Sequence, residues 1–186
     1  MAEKTVESIE NYGLSKKDKP KILFSKIGIV GCGSEGQSIA RLISNSGMEV
    51  IFVETGDEEI QTALKGIEDE LDNQIDHWGM TQGEKKAIMS RINGSTNYAD
   101  LENCDLIIQS ITSKNRESSV QLRQNVFKEI EGHVSKDAII ATNSTTLLIT
   151  ELSSELKYRD RCISLHCITN AHDSPIVEVV RGGDIS

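Results

Sequence analysis

Residues 26–54, KIGIVGCGSEGQSIARLISNSGMEVIFVE, decide how the rest of this chain is read. An apolar run at 27–30 leads straight into Gly31-Cys32-Gly33-Ser34-Glu35-Gly36. Apolar residues at helical spacing follow (Ile39, Ala40, Leu42, Ile43), then Gly47, then a second apolar run at 50–53. Glu54 stands eighteen positions after Gly36, at the tip of that run. A lone GxGxxG is a weak pattern. Strand, glycine turn, helix, strand and terminal acid within about thirty residues together form the unit that binds a dinucleotide.

Each residue type has a physical task in such a unit. Gly31 lets the chain turn out of the strand, Gly33 leaves room for an approaching diphosphate, and Gly36 lets the helix pack close to the sheet. The N–H groups at the helix start, from Ser34 and Glu35 onward, and the positive end of its dipole face the phosphates. Glu54 can accept hydrogen bonds from ribose hydroxyls and would repel a 2′-phosphate. No Arg or Lys follows it closely, so NAD is favoured over NADP. The competing reading is an α/β domain whose glycines serve packing alone. Glu35 is the discordant residue, a carboxylate inside an anion-binding loop, tolerable where water screens it.

Composition narrows the class. At 186 residues, 37% hydrophobic, 26% charged and 4% aromatic, the chain reads as one soluble domain with a substantial core. A net charge of −9 without a basic face argues against nucleic acid as a partner. No run approaches the ~18–20 apolar residues of a membrane span, and residues 1–20 lack the apolar core of a signal peptide, so a cytoplasmic location is expected. Cys32, Cys104, Cys162 and Cys167 have no CxxC spacing and read as reduced thiols. No metal site is expected.

Residues 1–20 form a polar leader, and 21–186 the folded domain. After Glu54 the pattern predicts a helix over 57–78, a turn at Gly79 and Gly83, and a second helix over 84–91, together a helical hairpin. Asn93-Gly94 predicts a turn into a short strand at 95–98. Residues 105–111 read as a buried strand, 117–131 as a helix with Phe127 and Ile130 toward the sheet, and 138–141 as another strand. A short helix should begin near Thr146, with further strands at 161–166 and 176–180. Strands alternating with helices predict an α/β fold: a doubly wound, mostly parallel sheet of Rossmann type with a helical hairpin insertion.

Ligands of such sheets bind at the carboxyl ends of the strands. There the run at 138–141 enters Thr142-Asn143-Ser144-Thr145-Thr146, and the run at 161–165 enters His166. Glu178 lies twelve residues later within the apolar stretch 176–180, where a carboxylate needs a partner. A His oriented by a carboxylate, with a hydroxyl nearby, is a general-base arrangement. The bland alternative is a hydrogen bond that merely ties two strands. For Thr145 the alternative is a helix cap or hydroxyl turn, and Asn143 reads as a turn residue.

The segments ATNSTTL and LHCITNAHDSPIVEVV, with the glycine loop and KGIEDEL, resemble the NAD-binding domain of the 3-hydroxyacyl-CoA dehydrogenase family over about residues 26–180. The resemblance implies an NAD-dependent oxidoreductase of fatty acid metabolism, interconverting 3-hydroxyacyl-CoA and 3-oxoacyl-CoA. His166 would be the base, Glu178 its orienting carboxylate and Thr145 the counterpart of the family's catalytic Ser. Ser110 would lie where the backbone passes the cofactor. It further implies an acyl-CoA thioester as small-molecule substrate. The family's helical C-terminal domain has no counterpart before Ser186, so the resemblance implies a homodimer or a partner chain supplying that domain. Several positions depart from the family. Gln109-Ser110 replaces Glu-Ala, Thr169 and Asn170 replace Asn-Pro, and Glu70 and His77 stand where a Ser and a Lys contact coenzyme A. Two rival functions remain open: a non-catalytic NAD-binding or partner-docking module, and a dehydrogenase of a small hydroxy acid without coenzyme A.

Overall fold

The computed structural model describes residues 24–111, 116–167 and 177–183; the polar leader and the Thr169 and Asn170 positions lie outside them. The short apolar runs become β1 (Lys26–Val30), β2 (Glu49–Val53), β3 (Ile92–Ser95), β4 (Leu106–Gln109), β5 (Ile139–Thr142), β6 (Cys162–Cys167) and β7 (Val177–Arg181). The helices are α1 (Ser34–Asn45), α2 (Asp57–Asp76), α3 (Gln82–Met89), α4 (Arg116–His133) and α5 (Ile149–Leu152). The strands form one sheet in the order β3-β2-β1-β4-β5-β6-β7, parallel throughout except for the antiparallel β6–β7 pair. The chain reverses its direction of growth between β1 and β4, and a crevice opens there at the carboxyl ends. This is the doubly wound, mostly parallel sheet expected from the sequence.

Period-two alternation explains why the central strands β1, β2 and β4 are mostly apolar. Ile27, Ile29, Val50, Phe52, Leu106 and Ile108 share a core with Ile39, Ala40 and Ile43 of α1 and Ile60, Ala63, Ile67 and Leu71 of α2. Val30, Ile51, Val53 and Ile107 instead join Phe127 and Ile130 of α4 and Ile149 of α5 on the other face. A strand covered on both faces has no polar side to display.

The helical hairpin is set by patterning and capping. In α2 only Ile60, Ala63, Ile67 and Leu71 are buried, one stripe at helical spacing. A capping box starts α3: Thr81 Oγ1 accepts from Glu84 N, and the Glu84 carboxylate accepts from Thr81 N. Lys85 then reaches back to Glu68 (3.0 Å) and Asp72 (2.7 Å), and Arg41 of α1 lies 3.6 Å from Glu70. The acidic stretch of α2 is thus partly neutralised by the neighbouring helices.

Two local expectations fail. The Asn93-Gly94 pair is not a turn but the middle of β3, in parallel register with Ile51 and Phe52. Gly94 serves close approach, since a Cβ there would meet Ile60 Cγ2 at 2.5 Å and Phe52 Cζ at 2.8 Å. Helix α5 starts at Ile149 rather than near Thr146. Thr142 Oγ1 accepts from Ser144 N at 3.2 Å, a local bond that competes with helix at the end of β5.

Candidate functional site: a strand-end crevice

The glycine loop takes the shape its spacing demands. Gly31 has φ +87, and a Cβ on it would meet the Ser110 carbonyl oxygen at 2.9 Å. A Cβ on Gly36 would overlap the Gly31 carbonyl, whereas one on Gly33 would meet nothing within 4 Å. Gly33 is also the N-cap of α1 and makes no side-chain cap hydrogen bond, so no side chain of its own covers the first-turn N–H groups. Open space over amides at a helix start fits a diphosphate. Glu54, just past β2, turns back on this loop and accepts from Cys32 N. Burial, aided by the Glu54 charge, pushes the Cys32 thiol up to about 12 and makes it inert as a thiolate.

Glu35 is exposed, yet its carboxylate is tied to the end of another strand. Its Oε2 accepts from Asn143 Nδ2 at 3.0 Å, and the same amide donates to Ser110 Oγ at 2.9 Å. A polar bridge therefore spans from the loop after β1, across the end of β4, to the end of β5. Asn143, read from sequence as a turn residue, is its centre.

At the next strand end His166 is held from both sides. Its Nδ1 lies 3.2 Å from Glu178 Oε2, and its Nε2 lies 3.1 Å from Ser164 Oγ and 3.1 Å from the Ser144 carbonyl oxygen. The pairing comes from antiparallel register, which sets His166 opposite Glu178. Glu178 is not the buried carboxylate expected of an apolar strand: every residue of β7 is exposed. Its partner orients it; desolvation does not force the pairing. Thr145 is exposed, and its hydroxyl makes no hydrogen bond to a described residue and caps no helix, so the structure does not bring it onto His166. Ser164 is the hydroxyl that does touch the ring. The sequence signal for it was period two, since residues 164 and 166 share a face of β6.

Beneath these groups lies a buried polar knot. Gln109, 0% exposed, donates from Nε2 to the Arg123 carbonyl (2.9 Å) and accepts from Arg123 Nη1 (3.2 Å) and Thr142 Oγ1 (3.3 Å). Arg123 also donates to Ser119 Oγ at 3.3 Å and to the Ile111 carbonyl. Desolvation pulls the Arg123 guanidinium below its ordinary range, with the Glu35 charge opposing that shift. Sequence reading missed Arg123. The available hint was Gln109, a polar residue ending a buried strand and so in need of partners. Of the two positions where the resemblance implies coenzyme-A contacts, Glu70 faces Arg41, and His77 ends α2 with Nδ1 2.8 Å from the Asn73 carbonyl. Among the described residues no group of three His, Cys, Asp or Glu is placed to hold a metal.

A doubly wound sheet with an open glycine loop, an acid after β2 and a paired His past the switch point defines a nicotinamide-dinucleotide-binding domain. More narrowly, the chain belongs to the 3-hydroxyacyl-CoA dehydrogenase family through its NAD binding domain, which matches residues 26–186. NAD is the cofactor of that domain. The chain is 31% identical to (S)-3-hydroxybutyryl-CoA dehydrogenase from Ralstonia eutropha, whose crystal structure superposes with a TM-score of 0.79 over 88% of this chain and 56% of that one. It is 26% identical to a peroxisomal fatty acid beta-oxidation multifunctional protein of Arabidopsis thaliana, over 97% of this chain and 24% of that protein. A fatty acid oxidation complex subunit alpha of Psychrobacter arcticus is 27% identical over 85% of this chain and 21% of its own length. The chain thus spans about a quarter or less of these two curated relatives.

Proposed function

We propose that the chain is the cofactor-binding half of an NAD-dependent dehydrogenase that interconverts 3-hydroxyacyl-CoA and 3-oxoacyl-CoA thioesters. The observation that carries the proposal is the His166 ring, fixed between Glu178 and Ser164 at the end of β6. The amides of Gly33, Ser34, Glu35 and Gly36 would hold the diphosphate, and Glu54 would accept from the adenosine ribose. Ser110 would border the cofactor where β4 ends. A cytoplasmic placement is part of the same reading.

NAD, when bound, supplies a hydride acceptor at its nicotinamide ring. The chain's own part is proton management. With Nδ1–H donated to Glu178, the His166 Nε2 lone pair accepts from Ser164 Oγ, and on taking the proton of the substrate 3-hydroxyl Nε2 can donate to the Ser144 carbonyl 3.1 Å away. Glu178 then stabilises the imidazolium. The Ser164 hydroxyl, which satisfies Nε2 at rest, has alternative acceptors in the Thr142 and Ser144 carbonyls, each at 3.4 Å. It can therefore release the ring without being left unpaired. Thr145, exposed and one residue past Ser144, stays as the proposed hydroxyl donor to the substrate oxygen.

His166→Ala is expected to lower kcat by about 10²- to 10⁴-fold while leaving NAD affinity near that of the parent. Retention of near-parental turnover would refute the assignment. One observation favours a second reading, an NAD-binding module without chemistry: Thr145 makes no hydrogen bond to the His166 ring. That reading expects NAD binding with no NADH oxidation on acetoacetyl-CoA even at high protein concentration. Oxidation with free 3-oxo acids but not with thioesters would instead identify a hydroxy-acid dehydrogenase.

A further inference from the structure

The Glu35 side chain has no task in the proposal above, yet a hydrogen bond ties it across the crevice. A helix-start loop that receives a diphosphate gains nothing from a carboxylate of its own. Here that carboxylate accepts from Asn143 at the end of β5 (3.0 Å), whose amide also donates to Ser110 at the end of β4 (2.9 Å). The strand order gives this position a side. Glu54, at the end of β2, marks the adenosine side of β1, while β4, β5 and β6 lie on the opposite side, and His166 on β6 marks the reacting end. Glu35 therefore sets a negative charge on the nicotinamide side of the crevice.

The two redox forms of the cofactor differ on that side by one unit of charge. The oxidised ring is a cation and the reduced ring is neutral, while their diphosphates are alike. We propose that Glu35, anchored by Asn143, is a specificity-determining residue that biases the site toward the oxidised cofactor, attracting its cationic ring while repelling the diphosphate of both forms equally. The proposal rests on the dinucleotide site described above. Arg123 lies close enough for its charge to interact with that of Glu35. It stays committed to Gln109, Ser119 and the Ile111 carbonyl, so it damps the carboxylate's field without pairing it away.

Calorimetric titration of the chain and of Glu35→Gln with NAD, NADH and ADP-ribose, at low ionic strength, separates the two effects. ADP-ribose carries the diphosphate without the ring. Glu35→Gln should tighten NADH and ADP-ribose by similar factors. It should also move the NAD-to-NADH affinity ratio toward NADH by about three- to tenfold, the range for one exposed charge in a high effective dielectric. Added salt should shrink that change. Asn143→Ala, which leaves the carboxylate in place but unanchored, should move the ratio the same way by a smaller factor. An equal change for all three ligands, or an unchanged ratio in both variants, overturns the inference and leaves the dinucleotide site standing. Failure of the unmodified chain to bind any of the three overturns the site itself and this inference with it.

Discussion

Gly33 and Gly36 lie three residues apart in one loop, yet substitution should reveal opposite duties. A Cβ on Gly36 overlaps the Gly31 carbonyl, a backbone atom that no rotamer change can move. Gly36→Ala is therefore expected to lower both the melting temperature and NAD affinity. A Cβ on Gly33 meets nothing within 4 Å, so Gly33→Ala should melt like the parent while binding NAD about tenfold or more weakly, the methyl standing where the diphosphate approaches. Thermal melts and calorimetry on the two variants check this; equal behaviour would remove the distinction. These glycines, Glu54 and His166 were legible in the sequence because backbone geometry and strand-end position demand those residue types. Asn143 and Arg123 were not. Their partners lie 108 and 14 residues away, and no local spacing announces such pairs.

Among the elements, β1 and β4 are joined by more than their ladder. Asp105, just ahead of β4, accepts from Ser25 N at 2.8 Å, Ser25 Oγ at 3.2 Å and Lys26 N at 3.4 Å. These donors, led by the Ser25 amide, hold the Asp105 carboxyl below the usual range. A carboxyl depressed in the folded state adds stability above its unfolded pKa and loses it as pH falls through the folded value. Denaturant titrations across the acid range should show stability falling with pH, and Asp105→Asn should flatten part of that fall; an unchanged slope would count against the assignment. The central strands and long helices were readable as elements because both faces of those strands are covered and α2 keeps one apolar stripe. The error at β3 has a physical source: Asn-Gly is a turn signal only where the chain is free to turn. There Gly94 is needed for the close packing of Ile60 and Phe52.

For the whole molecule, the crevice rests on the polar knot of Gln109, Arg123, Ser119 and Thr142, which lies inside the fold rather than on it. Removing the cation takes one of the two donors from Gln109 Oε1, the other being Thr142 Oγ1, and the Arg123 donor from the Ile111 carbonyl, at about 1–3 kcal/mol for a polar group left unsatisfied. Arg123→Met, which retains much of the side-chain volume, should therefore lower stability by at least that much in chemical denaturation. A loss within about 0.5 kcal/mol would place the knot among surface-like interactions. The doubly wound class of the sheet and the location of the site at its carboxyl edge followed from the alternation of elements, whereas the strand order and the polar interior beneath it did not. The two ends of the crevice are also unequally secured. The glycine loop issues from β1, flanked on both sides by strands, but Glu178 rides on β7, whose described neighbour is β6 alone and whose residues are all exposed. Warming should loosen that outermost ribbon first, so proton transfer will fail at temperatures where the nucleotide is still gripped, and the protein will pass through a state that binds but does not turn over.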